Sequence, residues 1–196
     1  MALMPYEFDA ERFSRWMSYV LRHNPARYGL TPDRHGFVDF DELFRIAQRR
    51  YSGVPADQLR DLMSGGSGGR FELSGSRLRA RYGHSIPVEP AGPPVEPPEW
   101  LFHGTEPERL DEILRDGLAP AGRRMVHLSD TLDDALAVGR RRAEQPAVFR
   151  IAAREAHRAG VLFYHEGKVF LASAIPAAYI SRASVPADAG TPPVTS

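Results

Sequence analysis

The apolar positions fall into short periodic runs separated by breaks. Phe13, Trp16, Met17, Val20 and Leu21 recur at the i, i+3, i+4, i+7 and i+8 spacing of one helix face. That helix should stop near His23-Asn24, because Pro25 disfavours helical backbone at the residue before it. A second helix is predicted after Asp39, with Glu42 completing a capping box and Leu43, Ile46 and Ala47 facing inward. A third, shorter helix begins near Pro55 and carries Leu59, Leu62 and Met63. After a glycine-rich break over residues 64–69, residues 71–73 and 78–82 flank a Ser-Gly-Ser turn and read as a hairpin. Three small helices followed by a hairpin describe a winged helix.

The second half alternates differently. Residues 100–103 read as a strand, and residues 107–116 as a helix with Leu110, Ile113 and Leu114 inward and Gly117 just past its end. Residues 125–128 form a further strand, and Ser129 is placed to cap a helix running towards Gly139. Residues 148–151, 161–164 and 168–171 complete the strands. Many short strands with two helices indicate α+β. Between the halves, six of the twelve residues 87–98 are proline, which favours an extended, semi-rigid connection. The expected organisation is a first lobe over 1–86, a linker over 87–98, a second lobe over 99–185 and a flexible tail over 186–196.

Composition narrows the function classes. No run of about 18 apolar residues is present, so no membrane-spanning helix is predicted. The N-terminus turns acidic and amphipathic too soon for a secretory signal, so a cytoplasmic protein is expected, with a monomer as the default. The absence of cysteine removes disulfide frameworks, thiol nucleophiles and thiolate zinc sites. The 25 Lys and Arg balance 25 Asp and Glu, which speaks against a protein that coats a duplex. Lys168 is the only lysine, and residues 1–86 hold 13 Arg against 10 acids. Arginine suits forked recognition of phosphate, so the question is where the arginines converge.

Each candidate has a plain reading beside a functional one. Arg22-His23 at a helix end can simply complement the helix dipole, or can grip an anion. Arg70 opens the hairpin, and Arg79 and Arg81 share one face of its second strand. Gly83-His84-Ser85 is either a turn or a phosphate-contacting loop working through backbone N–H and hydroxyl groups. His103-Gly104-Thr105 is either a turn or a point of close ligand approach. His127-Leu128-Ser129 closes a strand, and Arg141 lies in a cationic run after Gly139. No HExxH, P-loop, G-x-G-x-x-G or nucleophile elbow is present, and no metal is expected.

Taken in order, these pieces are far more specific. The Leu-Arg-His-Asn-Pro helix end, GLTPDRHGFVDFDEL, RFEL, RARYGHSIPVEP, LFHGT, GRRMVHLS and VFLASAIPAAYI together resemble the RNA 2′-phosphotransferase family, called KptA in bacteria. The resemblance covers residues 11–182. It implies a winged-helix RNA lobe followed by an ADP-ribosyltransferase-like lobe that binds NAD. It also implies a reaction that consumes NAD while removing an internal 2′-phosphate from RNA, the partner expected here. The phosphate attacks C1″ of NAD and expels nicotinamide. Transesterification then yields ADP-ribose 1″,2″-cyclic phosphate and dephosphorylated RNA.

By the same resemblance the catalytic set falls on Arg22, His23, Arg70 and Arg123. The NAD motifs fall on His103, Gly104, Thr105, His127, Leu128 and Ser129, with Arg141 near cofactor or RNA phosphates. Arg79, Arg81, His84 and Ser85 are expected to hold RNA phosphate. The chain departs from the family pattern at Ala121 and Met125, which replace a Met and a His, and at Tyr82, which replaces a Gln. The strand over 168–171 lacks the acid that protein ADP-ribosyltransferases carry there, in keeping with a phosphate nucleophile. Two other readings stay open. One is an ADP-ribosyltransferase that caps terminal phosphates of RNA or DNA, or modifies protein. The other is a winged-helix nucleic-acid-binding protein that senses NAD.

Overall fold

In a computed structural model describing residues 8–64 and 69–184, the first helix, α1, spans Ala10–His23. Asp9 starts it by accepting a hydrogen bond from the Arg12 N–H at 2.9 Å. The apolar stripe is buried as its spacing predicts, and Arg22 and His23 fall in the last turn. The helix α2, Phe40–Arg50, is capped by Asp39, whose carboxylate accepts from the Glu42 N–H. The helix α3 spans Ala56–Ser64. Residues 65–68 of the glycine-rich break, the N-terminal seven residues and the tail from residue 186 lie outside the described residues.

The hairpin is present as β2, Phe71–Ser74, and β3, Arg77–Ala80, turning at Gly75 with φ +58°. A short strand not read from the sequence, β1 at Val38–Asp39, pairs antiparallel with β3 through Val38–Leu78. One apolar core joins these pieces: Phe13, Met17, Leu21, Leu43, Leu59 and Leu78 are fully enclosed. Phe8, Phe13, Trp16 and Tyr51 interlock beside it through tilted and edge-on ring contacts.

The chain forms two compact units, and neither is continuous in sequence. Unit 1 comprises Met1–Pro94 together with Pro120–Met125 and Tyr164–Val169. Unit 2 comprises Val95–Ala119, Val126–Phe163 and Phe170–Ser196. The architecture is α+β with small antiparallel sheets.

In unit 2, β4 (Trp100–Thr105) pairs along its length with β6 (Ala147–Ala152), which pairs in turn with β9 (Ile180–Arg182). The strand β5, Val126–Leu128, pairs with β8, Val169–Ala172. The strand before β8 is β7, Phe163–Glu166. Leu101, Ile113, Phe149, Ile151 and Phe163 form the core. Two sequence readings are corrected here. The helix α5, Leu132–Gly139, is capped by Thr131 and not by Ser129, whose backbone is engaged with Phe102 on β4. In α4, Leu110–Asp116, Ile113 is buried whereas Leu114 remains 37% exposed. The short helix α6, Ala153–Arg158, was not read from the sequence. No helix of the described residues is long and apolar enough to cross a membrane.

Gly104 on β4 has a packing reason. A Cβ there would run into the Ala135 carbonyl oxygen and approach the Gly139 nitrogen, so the missing side chain lets α5 lie against β4. The close approach at Gly104 is made by helix backbone. Gly104→Ala should therefore destabilise the ligand-free protein by about 1–3 kcal/mol in urea unfolding. A stability equal to wild type would return Gly104 to a ligand-facing role.

Candidate functional site

The end of α1 carries the first half of the site. A helix C-terminus favours cations, and Arg22 and His23 occupy its last turn. The chain then returns beneath them: the Ser85 N–H donates to the Arg22 carbonyl at 3.0 Å. Gly83, at φ +89°, allows this approach, since a Cβ there would lie 3.3 Å from Arg22 Cδ. The Arg22 guanidinium therefore lies along the Gly83 backbone, with its carbon 5.1 Å from the Tyr82 ring centre. Its Nε and Nη2 are buried without a hydrogen-bond partner.

A buried cation with an unpartnered edge is costly, and the neighbouring charges increase the cost. Burial lowers the Arg22 pKa to about 10; Tyr82 opposes the shift, while Arg70 and Arg123 add to it. Arg70 reaches α1 itself, donating from Nη1 to Ser14 Oγ at 3.3 Å. Arg123 lies in the returning segment Pro120–Met125, which is pinned where the Arg124 N–H donates to the His84 carbonyl at 3.0 Å. The four residues expected to be catalytic, Arg22, His23, Arg70 and Arg123, thus all belong to unit 1, although Arg123 was expected in the second lobe.

His23 shares a hydrogen bond with Ser85, Nδ1 to Oγ at 3.0 Å. Partial burial lowers its pKa, and Arg22 and Arg123 lower it further. His84 is enclosed at 6% exposure, and burial followed by Arg22, Arg79 and His23 takes its pKa down to about 4. Its ring faces inward, with Nε2 3.2 Å from where a Cβ of Gly36 would stand. The loop reading is corrected accordingly. The Ser85 N–H is engaged by Arg22 and the His84 ring is enclosed, so this segment supports Arg22 instead of offering a ring of free donors.

Arg79 and Arg81, expected to hold RNA phosphate, are engaged by carboxylates of the protein itself. Arg79 is only 3% exposed, and its guanidinium is held by Glu72 at 2.6 Å and by Glu166 at 2.7 Å. Arg81 meets Glu72 at 3.3 Å. Both cations are neutralised by carboxylates, and Arg79 presents no open face to a ligand. Glu72, Glu166 and Ser14 were missed in the sequence reading. Glu166 lies 87 positions from its partner, a separation at which no local pattern signals a pair.

Unit 2 carries the other motif residues. His103 Nδ1 donates to the His127 carbonyl at 2.9 Å. Thr105 is buried and donates to Glu106, which also receives Arg142. Ser129 is nearly enclosed, and Arg141 stands exposed in the turn after α5. Leu128 is fully buried in the core, so its side chain is a packing residue. Among the described residues, no three His, Asp or Glu side chains gather as a metal site would require.

Residues 9–173 match the family described as RNA 2′-phosphotransferase, Tpt1/KptA. The chain belongs to this family. A probable RNA 2′-phosphotransferase of Lacticaseibacillus paracasei is 39% identical over 171 residues, covering 86% of this chain and 91% of the relative. One from Agrobacterium fabrum is 42% identical over 173 residues, with 86% and 91% covered. An archaeal one, from Thermococcus kodakarensis, is 37% identical over 160 residues, with 82% and 89% covered. In this Tpt1/KptA chain, then, the buried cationic cluster lies wholly inside the matched region.

The lowered pKa of His84 has a sign that can be checked. The folded protein holds His84 neutral down to about pH 4, whereas the unfolded chain takes up the proton near 6.5. The unfolded state therefore binds more protons between these values, and stability falls as pH drops through that window. His84→Asn should flatten the pH dependence of unfolding free energy there by up to about 1.4 kcal/mol per pH unit. An unchanged slope would show that His84 is not held neutral.

Proposed function

We propose that the protein is an NAD-consuming RNA 2′-phosphotransferase, with the 2′-phosphate bound at Arg22, His23, Arg70 and Arg123. The observation that carries the reading is the buried Arg22 guanidinium, whose Nε and Nη2 lack partners beside further cations. A phosphate monoester supplies two oxygens in the geometry of that edge and a negative charge for the Arg22 guanidinium. The relatives' names supply the substrate class. We read the three helices and hairpin of unit 1 as a winged-helix RNA lobe, and unit 2 as an ADP-ribosyltransferase-like lobe.

NAD enters as a co-substrate. The His103 and His127 imidazoles and the Thr105 and Ser129 hydroxyls suit ribose hydroxyls and a carboxamide. Arg141, exposed after α5, is assigned to a phosphate of the dinucleotide or RNA.

The chemistry asks little of a base at first. A 2′-phosphate oxygen is already anionic when it attacks C1″ of the nicotinamide ribose, and the C–N bond breaks with nicotinamide taking the electron pair. What hinders this step is the approach of a phosphate to the pyrophosphate-bearing co-substrate. Preorganised arginines lower that barrier and stay charged while doing so. In the second step the 2″-hydroxyl attacks phosphorus and the RNA 2′-oxygen leaves. A proton must leave the attacking hydroxyl and reach the departing oxygen. His23, whose pKa is lowered by partial burial and then by Arg22 and Arg123, is suited to take that proton and return it to the departing oxygen.

Incubation with NAD and an RNA bearing one internal 2′-phosphate should yield nicotinamide, dephosphorylated RNA and ADP-ribose 1″,2″-cyclic phosphate. No such product, with ADP-ribose appearing instead on a 5′-phosphorylated oligonucleotide, would favour the capping reading. Arg22→Ala, His23→Ala and Arg123→Ala should each lower kcat/KM by at least about a hundredfold, the scale on which a transition-state donor acts, while each variant still folds. Near-normal rates in all three would remove the assigned site.

A further inference from the structure

The turn between β7 and β8 makes contacts in unit 1 that the reaction scheme does not use. Glu166 is 4% exposed, yet it is far from the phosphate-binding edge of Arg22 in sequence and has no assigned role. Its Oε2 accepts from Arg79 Nη2 at 2.7 Å, and its Oε1 accepts from the Ala91 N–H at 3.2 Å. Both carboxylate oxygens are thus committed, one to the hairpin strand β3 and one to the proline-rich segment. Arg79 is held in turn by Glu72 on β2, so the turn is fastened to both strands of the hairpin.

The next residue carries the contact onward. Gly167 has φ +67°, and a Cβ on it would stand 2.8 Å from the Gly69 carbonyl oxygen. It would also lie 3.2 Å from Arg81 Cδ and 3.6 Å from Tyr82 Cε1. Gly69 immediately precedes Arg70, whose carbonyl accepts from the Arg81 N–H at 2.9 Å. Tyr82 is the ring over which the Arg22 guanidinium lies. The turn therefore touches the backbone leading into one cluster arginine and the aromatic face behind another.

The charges are arranged to match. Arg79 and Arg81 are met by Glu72 and Glu166, so the cations nearest the hairpin are balanced. Arg79 also lies close enough to His84 to lower its pKa, after burial and Arg22. Without the Glu166 carboxylate, a buried cation would be left partly uncompensated next to the phosphate-binding cluster.

We propose that Glu166 and Gly167 are positioning residues for the anion site: Glu166 anchors the turn through Arg79 and Ala91, and Gly167 sets the placement of Arg70 and of the Tyr82 ring behind Arg22. This rests on the reading of that cluster as a phosphate site. Partners that orient metal ligands change affinity or activity by about ten- to a hundredfold when altered, and an effect of that scale is expected of these supports. A residue with only a structural role would lower the unfolding temperature and leave anion affinity intact at temperatures where the protein is folded.

The test is a titration of the full chain with inorganic phosphate, followed on the Arg22 and Arg70 Nε–Hε resonances. Wild type, Glu166→Gln and Gly167→Ala are compared below their unfolding transitions. Glu166→Gln retains size but can no longer accept at both oxygens. Gly167→Ala retains the buried ion pair, so it keeps the test usable if the first variant fails to fold. The expected result is saturable binding by wild type and at least tenfold weaker binding by each folded variant, with displaced Arg70 and Arg22 resonances. Wild-type affinity in the folded variants overturns this inference alone. Failure of wild type to perturb either resonance removes the phosphate-site reading, and this inference with it.

Discussion

The Arg22 guanidinium, withdrawn from water with one edge unpartnered, is the constraint around which unit 1 is organised. Burying a cation in this way costs several kcal/mol unless a counter-charge is supplied, and the folded chain brings more cations near it instead. The structure tolerates the arrangement because the rest of the unit is well enclosed. A continuous apolar core fixes α1, and the chain reversal at Gly83 ties Ser85 to the last turn of that helix. An environment that is poor for a lone arginine is a good one for an arginine with a phosphate dianion, whose attraction grows as water is excluded.

The neutral overall composition takes on meaning from how the carboxylates are placed. Glu72 and Glu166 sit against Arg79 and Arg81, which are closely related in sequence position to the cluster but serve to hold the hairpin. Burial acts first on Arg22 and His23, and the charges that lower their pKa values further are those of arginines. One set of cations is compensated by carboxylates within the protein, and the proposed reading assigns the other to a phosphate. Net charge cannot separate the two sets. Burial and partner identity do.

The fold was legible where the signal was local. The stripe from Phe13 to Leu21, the Asp39 cap and the hairpin turn at Gly75 all follow from residues within a few positions of each other. The ends of unit 2 elements were less legible, because Thr131 competes with Ser129 as a cap and Ser129 is drawn into a bridge with Phe102. The Arg-His pair could be singled out from the sequence because helix end and Pro25 coincide there. The return of residues 120–125 and 164–169 to unit 1 had no local signature. Consequently Arg123 was placed in the wrong half and Glu166 was overlooked. Strand alternation placed Arg79 on one face with Arg81 but could not show that this face is covered, since alternation reports a face and not what lies over it.

The most direct measurement of the central claim is a crystal structure of the protein with a 2′-phosphorylated dinucleotide. The account expects phosphate oxygens at hydrogen-bond distance, about 2.7–2.9 Å, from Arg22 Nε and Nη2, with Arg70, Arg123 and His23 around the same group. A phosphate bound elsewhere, with the Arg22 edge still unpartnered, would contradict it.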